Sequence, residues 1–162
     1  MLRTALIVTV LGLWAGPGAE ARAQESIGDF FFFERADPTS GEDRGSITTL
    51  ADENYVSGAG GLTFRCSKDG FEMVVTATYL GQDPTTTVRY AFGDEQPTAA
   101  SWNLRSTGMA AVAPADVREA FLGRAASEAS VVGHVSDFQL RSHTYTFNLG
   151  GLEEGLSRVT CR

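Results

Sequence analysis

Only two cysteines and two histidines occur in the 162 residues, and that scarcity excludes most of the chemistry a chain of this size hosts. Cys66 and Cys161 lie far apart in the sequence, so no Cys-x-x-Cys redox motif is present. His134 and His143 have no cysteine or carboxylate around them at metal-ligand spacing, and they read as two ordinary sheet histidines. No Gly-x-Ser-x-Gly elbow marks a serine nucleophile. Ser130 and Ser136 lie near His134 in sequence, which is not geometry. The cluster Gly58-Ala59-Gly60-Gly61 lacks the Lys-Ser/Thr ending of a phosphate loop. Glu153 and Glu154 are neighbours on an expected helix, so they diverge into solvent and do not face each other as a glycosidase pair does. The expectation is a protein with no catalytic residues, no metal and no cofactor. Internal repeats and low-complexity tracts are absent as well.

The first residues read as a cleavable export signal. Arg3 precedes the apolar run Ala5 to Trp14, Gly16-Pro17-Gly18 breaks it, and Ala21-Arg22-Ala23 offers small residues at the cleavage positions. Ten apolar residues are too few to cross a bilayer, which takes about 20. The first cysteine is Cys66, so no lipid-modified cysteine follows the run, and no twin-arginine pair precedes it. Residues 1–23 are therefore expected to be a signal peptide and 24–162 a single periplasmic or secreted domain in a Gram-negative cell envelope, without a transmembrane segment after cleavage. The whole chain carries a net charge of −7. That acidity argues against nucleic acid or an anionic membrane as partner. In an exported chain an even cysteine count reads as a bridge, Cys66 to Cys161.

Period-2 alternation dominates the rest. Leu62, Phe64 and Cys66 share one face of a strand, with Thr63 and Arg65 on the other. Phe71, Met73, Val75 and Ala77 alternate with Glu72, Thr76 and Thr78. Further strands are expected at Val88–Phe92, Trp102–Leu104, Met109–Val112, Val131–Phe138 and Thr144–Leu149. Turn signals stand between them at Ala36–Arg44, Gly58–Gly61 and Gly81–Pro84. Pro114–Ala126 reads as a helix with Val117, Ala120 and Phe121 on its apolar face, and Leu152–Val159 as a second, shorter one just before Cys161. The expected fold is mainly β, an antiparallel sandwich or open barrel with two short helices, the C-terminal one tethered by the disulfide. Phe30 to Phe33 would serve either as core or as a sticky edge.

Arg65, Arg89 and Arg105 each stand opposite the apolar face of their strands. If those strands are neighbours, three guanidinium groups line one candidate partner-binding surface suited to carboxylates. The alternative is ordinary solvated arginine paired with Glu72 or another neighbour.

Several segments together resemble the VasI-type proteins associated with bacterial type VI secretion loci. They are Asp37-Pro38-Thr39-Ser40, Leu62-Thr63-Phe64-Arg65-Cys66, Tyr79-Leu80-Gly81 followed by Val88-Arg89-Tyr90, Trp102-Asn103-Leu104-Arg105-Ser106-Thr107, and Phe147-Asn148-Leu149-Gly150-Gly151-Leu152 ending at Cys161. The resemblance runs from about Glu34 to Cys161. It implies an exported, periplasmic accessory protein with no assigned catalytic residues. An envelope protein or peptidoglycan is the expected partner, peptidoglycan peptide being the carboxylate bearer that would suit the arginine surface. A small peptidoglycan hydrolase, or an inhibitor or immunity protein of an envelope enzyme, are the alternatives.

Overall fold

Alternating apolar and polar residues become a strand wherever one face can be buried. This happens ten times in the computed structural model, which describes residues 25–34, 45–52 and 60–161. The expected signal peptide, the turn at 36–44 and the Gly58-Ala59 half of the second turn lie outside the described residues. The strands are β1 (Glu25–Ile27), β2 (Phe30–Phe33), β3 (Ser46–Leu50), β4 (Gly61–Ser67), β5 (Gly70–Thr76), β6 (Thr85–Phe92), β7 (Thr98–Leu104), β8 (Ala110–Val112), β9 (Ser130–Ser136) and β10 (Ser142–Asn148). Helix α1 (Ala115–Ala125) follows β8, and α2 (Leu152–Arg158) follows β10.

All ten strands join one antiparallel sheet in the order β1-β2-β3-β4-β5-β8-β7-β6-β9-β10. The three-residue β8 splices two halves together, pairing Ala111 with Val75 on one side and with Leu104 on the other. The sheet is open but curled. At its far end the Asp52 amide donates to the Thr146 carbonyl (3.1 Å), and Asn148 Nδ2 donates to Asp52 Oδ2 (2.8 Å). These bonds bring β10 back against the end of β3, so the inner face closes over its own core. This is the incomplete form of the expected barrel.

The core is aromatic. Phe64 is fully buried and lies within 6.5 Å, centroid to centroid, of Phe30, Phe71 and Phe121. Phe121 brings α1 into this cluster, where its ring also meets Tyr90 and Phe92. The buried side of α1 runs through Phe121 and Ala125, with Val117 half-buried, while Ala120, expected on that face, is exposed. An i, i+4, i+8 stripe on a short helix is narrow enough for a one-residue shift to move an alanine into water. The aromatic run of β2 divides by parity. Phe30 and Phe32 are buried and Phe33 is exposed, which makes the run chiefly core.

The ends of the described chain meet. Gly28 (φ 58°) and Gly151 (φ 84°) face each other, and a Cβ on either would collide with backbone of the other segment. The Asp29 amide donates to the Gly150 carbonyl (2.8 Å), and the Gly150 amide donates to Asp29 Oδ2 (3.0 Å). Arg158 pairs with Glu25 (3.0 Å), and its guanidinium lies 4.6 Å from the Phe32 ring centroid. Cys161 is bonded to Cys66 across 95 residues of sequence, with 5.3 Å between their Cα atoms. That bridge tethers the end of α2 to β4 and fits an oxidising, extracytoplasmic compartment. Among the described residues no helix is long and apolar enough to cross a membrane.

Candidate functional site

The three arginines expected on one surface are separated by the strand order. Arg65 is on β4 and Arg89 on β6, four places apart in the sheet, and Arg105 follows the end of β7. Strands β6 and β7 do pair, but β4 lies four places from β6, so Arg65 and Arg89 do not share a surface.

Arg65 and Arg105 instead converge on Glu72. Arg65 lies opposite Glu72 in the β4–β5 register and donates Nε to Oε2 (3.1 Å), while Arg105 Nη2 donates to Oε1. The arginine stems cover the carboxylate, so Glu72 is 6% exposed although it alternates onto the outer face of β5. Burial alone would raise the Glu72 pKa. Hydrogen bonds from Arg105 and Arg65 outweigh that penalty and hold it below 4.5. Because the folded carboxylate releases its proton more readily than the unfolded one, its contribution is whole above pH ~4.5 and fades as pH falls through the folded value. Glu72→Gln is therefore expected to cost roughly 1–2 kcal/mol at pH 7, discounted for the exposed arginine heads. The difference from wild type should shrink toward pH 3 in thermal melts taken across that range. A difference independent of pH would show that the pair contributes packing alone.

Arg89 has a different setting. It faces His134 across β6–β9 and Ala99 across β6–β7, all on the outer face of the sheet. His134 in turn faces Thr144 on β10, with Nδ1 2.9 Å from the Thr144 hydroxyl. These strands form the floor of a groove of about 840 Å³, lined by Thr87, Arg89, Pro97, His134, Ser136 and Leu140 among others. Among the described residues, every arginine except Arg89 has a carboxylate within 4 Å. The other unpaired cation, Lys68, sits at the exposed β4–β5 turn. Arg89 is thus a free guanidinium fixed on a sheet in an acidic protein.

One rim of the groove is the β9–β10 connection, built around Asp137. The Asp137 side chain is 1% exposed and accepts four hydrogen bonds. The Gln139 and Arg141 amides donate to Oδ1 (2.8 and 2.9 Å), and Arg141 Nε and His143 Nε2 reach Oδ2 (2.7 and 3.0 Å). Burial works to raise its pKa, but the bonds from His143, Arg141 and Gln139 hold it well below the carboxylate range. This clasp forces Leu140 into the left-handed region at φ 63°. A leucine pays about 1 kcal/mol there that glycine does not. Leu140→Gly is expected to raise the melting temperature by a few degrees, since the side chain it removes is 88% exposed. A fall in Tm would show that the leucine packs in solution.

Sequence reasoning missed Asp137 and Leu140 because it extended the strand through Phe138. The signal was an aspartate opening a short connection between two alternating runs, the pattern of a side chain that caps its own turn. His134 and His143 do lie in strands as expected, and among the described residues no group of acidic, histidine or cysteine side chains has the arrangement of a metal site.

A single curled, ten-stranded antiparallel sheet with a disulfide-tethered C-terminal helix defines the class of fold that carries this groove. No protein family and no curated protein matches the chain. Among solved structures it is similar to invasion associated protein B from Bartonella henselae, with a TM-score of 0.59 and 11% sequence identity over 85% of this chain and 94% of that one. At that identity the likeness is one of fold.

Proposed function

We propose that this chain is an extracytoplasmic, non-catalytic binding module that captures a carboxylate-bearing envelope partner in the Arg89 groove. The observation that carries the reading is the unpaired Arg89 guanidinium on a rigid strand floor, beside His134 and a row of hydroxyls. A guanidinium presents its donors in a fixed fork that matches a carboxylate, and Arg89 is exposed, so its donors are open to a partner. The disulfide and the export segment expected in the sequence support a place outside the cytoplasm, periplasmic or secreted. The finer reading, an accessory protein of the VasI type tied to type VI secretion, rests on the order of sequence motifs. Sheath and baseplate genes beside this one would support it, and their absence would retire it.

Titration of isotope-labelled protein with acetyl-Gly-Gly, whose terminal carboxylate is free, tests the groove. The Arg89 Nε–H and the Val135 and Ala99 amides are expected to shift. Arg89→Gln should weaken binding about 10- to 100-fold with the melting temperature unchanged, since a charge-assisted bond contributes about 1.5–3 kcal/mol. Equal binding by the variant would overturn the assignment.

A further inference from the structure

The β9–β10 connection places two apolar side chains in water and holds them there. Leu140 is 88% exposed and Phe138 56% exposed. Loops normally bury or omit such groups, and a strained non-glycine residue persists only where its surroundings over-determine it. Here the surroundings are the Asp137 clasp. The Asp137 amide donates to the Arg141 carbonyl and the Leu140 amide to the Asp137 carbonyl (both 2.9 Å), in addition to the four bonds to the carboxylate. Phe138 is steadied edge-on against Tyr79, with ring centroids 5.3 Å apart, and its amide donates to the Tyr79 carbonyl (3.4 Å). The tip is therefore a rigid apolar projection, and its Leu140 lines the same groove as Arg89.

We infer that Leu140 and Arg89 read two adjacent features of one ligand, a protein segment in which an apolar side chain stands beside a carboxylate. The inference rests on the carboxylate reading of the groove and adds the apolar half. Charge complementarity selects the occupant. Among the described residues the groove lining holds Arg89 and no carboxylate, so a single carboxylate is attracted locally, while the −7 of the chain as a whole disfavours an extended anionic surface such as a membrane. Leu140 then supplies an apolar wall on a backbone already held by the Asp137 clasp, so little loop freedom remains to be lost on binding. Two sources share this chemistry, a free C-terminus after an apolar residue and an internal apolar-Glu pair.

Four N-acetylated peptides separate the cases by the same titration: acetyl-Gly-Leu acid, acetyl-Gly-Gly acid, acetyl-Gly-Leu amide and acetyl-Leu-Glu amide. Acetyl-Gly-Leu acid is expected to bind at least fivefold tighter than acetyl-Gly-Gly acid and to shift the Leu140 methyls together with the Arg89 Nε–H. The Leu-Glu amide behaves like it if the source is internal and like the Gly-Leu amide if the source is a terminus. Leu140→Ser should remove the fivefold preference, with amide shifts outside the β9–β10 connection matching the wild type, which shows that the variant is folded. Equal affinity for the Leu and Gly acids overturns the inference while leaving the groove a carboxylate site. Cosedimentation with purified peptidoglycan sacculi that is lost in Arg89→Gln but unaffected by Leu140→Ser does the same. Cosedimentation with phosphatidylglycerol vesicles through the Phe138–Leu140 tip overturns it in favour of a membrane. No shift at Arg89 with any acid overturns the groove reading itself.

Discussion

Replacing Cys66 and Cys161 with alanine is expected to destabilise the protein by roughly 4–5 kcal/mol, the largest effect of any change considered for this chain. The bridge joins residues 95 apart in sequence, and chain-entropy reasoning gives about 4.7 kcal/mol for a loop near that length. The native side of the balance matters as well. Helix α2 spans seven residues, Leu152–Arg158, too few to be helical alone. It is held by Leu152 and Val159 in the core, by the close approach of Gly155 to Ile47, and by the tether beyond it. Without the tether, α2 can lift away and uncover Ile47 and its neighbours. Calorimetry of the double alanine variant should show Tm lowered by roughly 10–20 °C, and reduction of the wild type should reproduce the shift. A change under about 3 °C would mean that packing alone secures the C-terminal segment.

Phe121→Ala is expected to cost roughly 3–5 kcal/mol. The ring is 2% exposed and is the one large buried side chain of α1. Its centroid lies 5.1 Å from Phe92, 5.4 Å from Tyr90 and 6.2 Å from Phe64, so it joins strands from both halves of the sheet. Truncation leaves a void among rings too rigid to collapse into it, and it forfeits edge-to-face contacts of about 0.5–1.5 kcal/mol each. Arg118 still anchors the helix through the Phe71 carbonyl (2.5 Å). The helix should therefore stay docked but loosely packed, with near-UV circular dichroism weakened and far-UV signal kept. A loss below about 1 kcal/mol would show that α1 only rests on the sheet.

The elements that alternate cleanly were the ones legible in the sequence. Leu62-Thr63-Phe64-Arg65-Cys66 became β4 with the expected faces, and both helices lie within a residue or two of their expected bounds. Strands β1 and β3 were not legible. Glu25-Ser26-Ile27 and Ser46-Ile47-Thr48-Thr49-Leu50 offer one or two apolar residues each, and pairing with β2 and β4 supplies what local pattern does not. Alternation along β5 placed Glu72 on the solvent side. It is on the outer face, yet buried, because Arg65 from β4 and Arg105 from just beyond β7 fold over it, and no local pattern encodes that. Nor can alternation give strand order. It put Arg65, Arg89 and Arg105 on outer faces, but the splice at β8 decided which of them would meet a carboxylate.

The glycine-to-glycine contact between the β1–β2 turn and the start of α2 joins the earliest and latest described parts of the chain. A polypeptide emerging amino end first must hold Ile27, Phe30 and Ile47 unsheltered until residues 150–161 arrive to cover them. Completion of this body is therefore a terminal event, and an interrupted or truncated product presents a greasy seam that chaperones and proteases recognise.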